Sequence, residues 1–251
     1  MRDLLIKLYL KKPCVFQANA LWKTLNLLES FEHFVEIEKD EIKIFKLWKG
    51  SFLHTYFSES FNNRDFDNFE KILIHEKFLN SYLLEKFPNK TSFFRLIHKN
   101  KNIPTFEILE DYYFKNVEIL KELNEVSEFI CKCYENIKPN SEEVNKWTKY
   151  DVFNNDLWVW IVEKNTGNKV ALGIAEVDKE IREGSLEWIQ ILPKFQGRKL
   201  GKLIVLELLR RMEKHVDFTT VSGEIDNKTN PEILYRKCGF EGNDVWYLMS
   251  I

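Results

Sequence analysis

Glycine is scarce in this chain: nine in 251 residues, and only Gly50 lies in the first 150. The first half therefore has few of the residues that permit tight turns and close backbone approach. Cysteine is scarcer still, with four at irregular spacing, which excludes a disulfide scaffold. No stretch of 18 apolar residues occurs, so no helix is expected to cross a bilayer. The short run Leu4–Leu10 is broken by Lys7, preceded by Asp3 and followed by Lys11-Lys12. That charge order is wrong for a secretory signal, and the reading predicts a cytoplasmic chain with no membrane partner. One-sided charge is also missing: the net charge is −2, which argues against a global polyanion field and makes nucleic acid an unexpected partner. His33, His54, His75 and His98 are scattered without ligand spacing. Cys131-x-Cys133 lacks the two-residue gap and second ligand pair of a zinc site. No metal is expected.

What is present is enough for a packed core. Apolar residues make up 44% of the chain and charged residues 30%. The chain divides in composition. Residues 1–104 carry 17 Lys/Arg and 13 Asp/Glu, a net +4, whereas residues 105–251 carry 20 and 26, a net −6. Asn100–Pro104 reads as a linker, so the expected organisation is an N-terminal α+β domain over 1–105 and a second domain over 106–251. No internal repeat is visible. In the first half, helical spacing predicts helices over 18–34 and 66–87, a hairpin over 35–45 turning at Lys39-Asp40-Glu41, and a strand over 92–98. The abundant Phe and Trp read as core, with a stacking surface for bases or another planar ligand as the alternative.

The second half predicts the order β-α-α-β-β-β-α-β-α-β. Its helices are expected over 119–134, with Leu120, Leu123, Val126, Phe129 and Ile130 on one face, over 141–150 with Ser141 as cap, over 196–215, and over 231–238. Its strands are expected over 112–117, 157–162, 170–177, 185–192, 219–225 and 245–249. The segment Leu186–Lys202 carries the chemistry. A strand ends at Pro193, and a loop with Lys194, Gln196, Gly197, Arg198 and Lys199 leads into a helix through Leu200, Gly201 and Lys202. Free N–H groups and the positive dipole end of a helix, with four cations in nine residues, make a phosphate cradle. It is neither a P-loop nor a three-glycine dinucleotide fingerprint.

At this point the chain resembles the GCN5-related N-acetyltransferase (GNAT) superfamily over about residues 110–251. The family's pyrophosphate loop, Gln/Arg-x-x-Gly-x-Gly/Ala, corresponds to Gln196-Gly197-Arg198-Lys199-Leu200-Gly201, with Lys199 standing where the family prefers Gly. A second block, Asn230-Pro231-Glu232-Ile233-Leu234-Tyr235-Arg236-Lys237-Cys238-Gly239-Phe240, is similar to the family's late motif. The resemblance implies an α/β (α+β) GNAT fold, a mixed central sheet flanked by helices, beside the extra N-terminal α+β domain.

It also implies acyl transfer from acetyl-CoA, the co-substrate, to an unidentified amine. The pantetheine arm would pair with the strand end at Ile191 and Leu192, where a backbone N–H would hold the oxyanion. Asn230 would contact the pantetheine amides. Tyr235 would lie beside the sulfur and return a proton to the leaving thiolate. Strand alternation puts Ser185, Glu187, Ile189 and Ile191 on one face, which makes Glu187 the candidate general base and Glu176 the reserve. Cys238 reads as structural, since no histidine partner is evident. Glu180, Glu183, Glu224 and Asp226 could form an acidic cleft, and Trp158, Trp160, Trp188 and Trp246 could line an acceptor pocket or fill the core. The assembly expected is a monomer or homodimer. The alternatives are a catalytically silent acyl-CoA sensor and a nucleic-acid-associated module built on the aromatic N-terminal half. The excess of 29 Lys over 8 Arg hints at an AT-rich bacterial genome.

Overall fold

The computed structural model describes residues 1–134 and 137–251. In chain order the elements are α1 (Arg2–Lys11), α2 (Pro13–Phe16), α3 (Leu21–Leu27), β1 (Glu32–Glu38), β2 (Glu41–Lys49), β3 (Phe52–Ser58), β4 (Lys71–His75), α4 (Ser81–Lys86), β5 (Asn89–His98), β6 (Tyr112–Asn116), α5 (Ile119–Cys133), α6 (Ser141–Trp147), β7 (Trp158–Glu163), β8 (Lys169–Asp178), β9 (Glu183–Ile191), α7 (Leu200–Met212), β10 (Phe218–Glu224), α8 (Pro231–Lys237) and β11 (Glu241–Ser250). The chain forms two compact units. The first comprises Met1–Ile97, Val221–Glu232 and Glu241–Ile251; the second comprises His98–Thr220 and Ile233–Phe240. Composition suggested one division near residue 105. The units divide at 97/98 and also group the closing strand β11 with the N-terminal segment, because β11 pairs with β4 and β5.

In the first unit the strands run in the order β1-β2-β3-β4-β11-β5. The turn between β1 and β2 holds Lys39 and Asp40 at φ of 50° and 59°, the left-handed pair that a two-residue hairpin requires. The Phe-rich composition is mostly core here: Phe16 packs at 5.8 Å against both Phe45 and Phe57, and Tyr56 at 5.3 Å against Phe78. Two predicted helices are overturned. Residues 18–34 are helical only over α3, because β1 starts at Glu32. Residues 66–87 hold β4, two 3-10 turns and α4. Ile72 and Ile74 are buried by two-residue alternation, and their spacing to Phe69 and Phe78 mimics a helical period.

The second unit carries the predicted element order. Its strands run β10-β9-β8-β7-β6. Val126, Phe129 and Ile130 of α5 and Val144 of α6 pack with Trp158, Trp160, Leu172 and Ile174 on one face of the sheet. Helix α7 covers the other. A Cβ at Gly173 would sit 2.5 Å from Ile204, and one at Gly184 would sit 2.8 Å from the Met212 sulfur, so these glycines set how close α7 lies. Three local expectations change. Leu120 is 99% exposed; at about 100° per residue it lies about 120° from Val126. The cap of α6 is Asn140, one residue before Ser141, in a reciprocal capping box with Glu143. Helix α7 starts at Leu200 and not Gln196, since Gly197 and Lys199 adopt positive φ.

Candidate functional site

Strands β9 and β10 run parallel but share three partners only: Glu183 with Phe218, Gly184 with Thr219, and Ser185 with Thr220. The ladder of β9 with β8 continues to Ile191. From Leu186 onward, the edge of β9 turned away from β8 has no strand partner among the described residues. The Leu192 N–H is spent on the Val170 carbonyl at 3.1 Å. Backbone groups alternate sides along a strand, so the Ile191 N–H and C=O point to the open edge. There the Gln196 amide nitrogen reaches the Ile191 carbonyl at 3.5 Å. Of the two residues expected to meet the pantetheine arm, Ile191 has the available donor and Leu192 does not.

The open edge leads into the cradle. Pro193–Phe195 makes one 3-10 turn, Gln196 is extended, Gly197 has φ +79°, and Lys199, the N-cap of α7, has φ +64°. No side chain caps α7, so the N–H groups of its first turn are left for a ligand. The Lys199 geometry explains why glycine suits this position: a left-handed backbone there strains any residue with a Cβ. Its side chain is exposed. Gly197 has open space around it and is needed for its φ; Gly201 is needed for packing, because a Cβ would meet Leu234 of α8 at 3.0 Å. The Arg198 guanidinium stacks 4.7 Å from the Phe195 ring and donates to the Tyr112 hydroxyl at 3.3 Å. Leu200 is buried and Lys202 exposed. These residues fit a diphosphate: unpaired N–H donors, a loop without side-chain obstruction at Gly197, and cations at its rim.

Strand β9 is irregular where the general base was placed. Ile174 pairs with Trp188 and Ala175 with Leu186, so Glu187 is the extra residue of a bulge. The bulge breaks the expected alternation. Ile189 and Ile191 share a face with Leu186, while Ser185 lies on the opposite face, where its hydroxyl donates to Glu176 at 3.4 Å. Glu187 therefore owes its direction to the bulge and not to a period of two. It remains close to Tyr235. The Tyr235 phenol is buried and its pKa is pushed well above the ordinary value, by burial first and then by Tyr134, Cys238 and the Glu187 carboxylate. Its ring meets Phe240 edge-on at 5.7 Å. Cys238 is fully buried, and burial pushes its thiol up to about 12, which removes it as a thiolate carrier. Asn230 precedes Pro231 with φ +46°, its N–H bonded to the Asn227 carbonyl at 2.9 Å.

The remaining candidates divide by burial. Trp158, Trp160 and Trp246 are core, at most 1% exposed. Trp188 is half-buried and stacks on Trp147 at 5.2 Å with the planes 17° apart. Tyr134 packs edge-on against Trp188 at 6.0 Å. Sequence reasoning missed Trp147 and Tyr134; both end helices, and no period marks such a residue as functional. The acidic cleft does not assemble. Glu183 is buried and accepts the Thr220 hydroxyl at 2.6 Å, while Glu180, Glu224 and Asp226 are exposed.

Residues 155–242 match the family described as the acetyltransferase (GNAT) domain. Among solved structures, the chain is similar to a GCN5-related N-acetyltransferase from Sphaerobacter thermophilus, at TM-score 0.70 and 13% identity over 92% of this chain and 84% of that one. It is also similar to a GNAT-family acetyltransferase from Colwellia psychrerythraea, at 0.64 and 12% over 90% and 88%. A tandem GNAT protein from the clavulanic acid biosynthesis pathway matches at 0.55 and 11% over 88% and 82%. No curated protein matches in sequence. The chain has the GNAT fold and carries, at residues 155–242, the GNAT acetyltransferase domain.

Proposed function

We propose that the chain is an acyl-CoA-dependent N-acyltransferase that moves acetyl from acetyl-CoA to an amine by direct attack in a ternary complex, with residues 106–251 as the catalytic segment. One observation carries this reading: the open edge of β9 runs into a left-handed loop and then into the uncapped start of α7. An amide-bearing arm suits the first, and a diphosphate suits the second.

In this reading the diphosphate is held by the loop 196–199 and the first turn of α7, with Gln196, Gly197, Arg198, Lys199, Leu200, Gly201 and Lys202 as its surroundings. The Ile191 backbone pairs with the pantetheine arm, and Asn230 binds an amide farther along it. Glu187 takes the proton that the amine must lose as the new N–C bond forms. Tyr235 returns a proton to the sulfur as the C–S bond breaks. Its raised pKa keeps the phenol protonated at neutral pH, the form the step needs.

The test is release of CoA thiol from acetyl-CoA across a panel of amines, beside calorimetric titration with acetyl-CoA. Binding with thiol release supports the proposal. Binding with no release across the panel favours a silent acyl-CoA sensor, and no binding ends both readings.

A further inference from the structure

Beside the bulge of β9 lies an open hollow of about 510 Å³. Its apolar surface comes from Ile137, Pro139, Trp147 and Trp188, with Glu143 and Lys146 at the rim. The two stacked indoles differ from the core tryptophans in a way that points to a ligand. Trp160 donates its indole N–H to Glu122 at 3.0 Å, and Trp246 donates to the Cys14 carbonyl at 2.7 Å. The indole N–H groups of Trp147 and Trp188 have no hydrogen-bond partner among the described residues. Both rings are only partly buried. A flat apolar wall with a few unsatisfied polar groups is what a small-molecule pocket presents.

The hollow is joined to the chemistry by contiguous groups. Trp188 follows Glu187 directly. Tyr134, packed on Trp188, and Glu187 both act electrostatically on Tyr235. Charge at the rim narrows the choice of ligand. Lys138 and Lys146 face a single lining carboxylate, Glu143, which already accepts the Asn140 N–H at 2.8 Å. A polycation would meet two ammonium groups there with no uncommitted carboxylate among the lining residues. An amino sugar would need a dense set of polar partners, which this wall lacks.

Resting on the acyltransferase reading above, we infer that the acceptor is a monoamine built on a planar aromatic ring, docked against the Trp147–Trp188 pair. Ring-on-ring contact with the indoles fixes its position, and the amine projects toward Glu187.

The experiment uses the full chain with acetyl-CoA and four acceptors: 2-phenylethylamine, spermidine, glucosamine and a lysine-containing peptide. Thiol release should be fastest with 2-phenylethylamine, by about tenfold in kcat/KM. Trp147→Leu should raise its KM about five- to tenfold with kcat within about twofold, and Trp147→Phe should recover most of the loss. Faster turnover of any other acceptor, or an unmoved KM in Trp147→Leu, overturns the inference while leaving the acyltransferase intact. If acetyl-CoA binds but no acceptor is consumed, or if acetyl-CoA fails to bind and the donor reading falls, indole fluorescence titration with 2-phenylethylamine decides. Saturable quenching that Trp147→Leu abolishes supports the aromatic site, and its absence overturns it.

Discussion

The two units treat strand edges in opposite ways. In the first, β11 is paired along most of its length with β4 on one side and β5 on the other, so its backbone donors and acceptors are consumed. In the second, β9 is fully paired with β8 but has only three partners on β10. Composition follows the same division. Phenylalanine rings fill the first core, while glycines in the second let α7 lie close to the sheet and shape the loop before it. A zipped ladder over an aromatic core has nothing left to offer a ligand. An unfinished ladder beside an uncapped helix does, and this places the chemistry in the second unit.

The comparison can be broken first at the zipped unit. Phe45 is fully buried against Phe16. Phe45→Ala should cost about 3–5 kcal/mol in urea unfolding, while the acetyl-CoA Kd of the folded protein stays within about twofold. A large loss of affinity would mean that the first unit is part of the site.

Next in size is an acid sensitivity built into the second unit. Burial alone would raise the Glu122 pKa, but Lys169, the Glu118 N–H, Lys115 and the Trp160 indole outweigh it and hold it at about 2. A depressed carboxyl stabilises the fold above its unfolded value, 4.5 in the same terms, and that stability is lost as pH falls from there toward 2. At most about 3 kcal/mol is at stake. Unfolding free energy measured from pH 6 to pH 2.5 should fall across this window, and Glu122→Gln should flatten the fall.

Catalytic substitutions sharpen the account of the unfinished edge. Glu187→Gln and Tyr235→Phe should each lower kcat by about 100-fold with little change in acetyl-CoA affinity, read by thiol release at saturating acetyl-CoA. An unchanged rate removes that residue from the mechanism. The smallest effect is expected at Lys199. Because its backbone is left-handed, Lys199→Gly should stabilise the protein by up to about 1 kcal/mol in the same urea assay.

Much of the second unit was legible because its signals are local. Gly197 and Gly201 bracket the cradle in sequence, and the alternation of Trp158, Trp160 and Val162 announces β7. What was hidden depends on contacts between distant segments. The extra residue at Glu187 is defined only by its register with β8, so a period of two mis-assigned Ser185. Gly201 could be read as ligand clearance until Leu234 was seen to fill that space. In the first unit no motif restrains the reading, and the Phe69–Phe78 spacing suits a helix and a strand-turn-helix alike. The pairing of β11 with β4 and β5 spans more than 140 residues of chain, which no window of sequence reports.

The central claim concerns individual backbone amides, and NMR-detected hydrogen exchange with and without acetyl-CoA reads them. Acetyl-CoA should slow exchange at Ile191 and through the first turn of α7, Leu200–Lys202, and leave Leu192, already bonded to Val170, unchanged. Equal exchange rates at Ile191 and Leu200–Lys202 in the two states would contradict it.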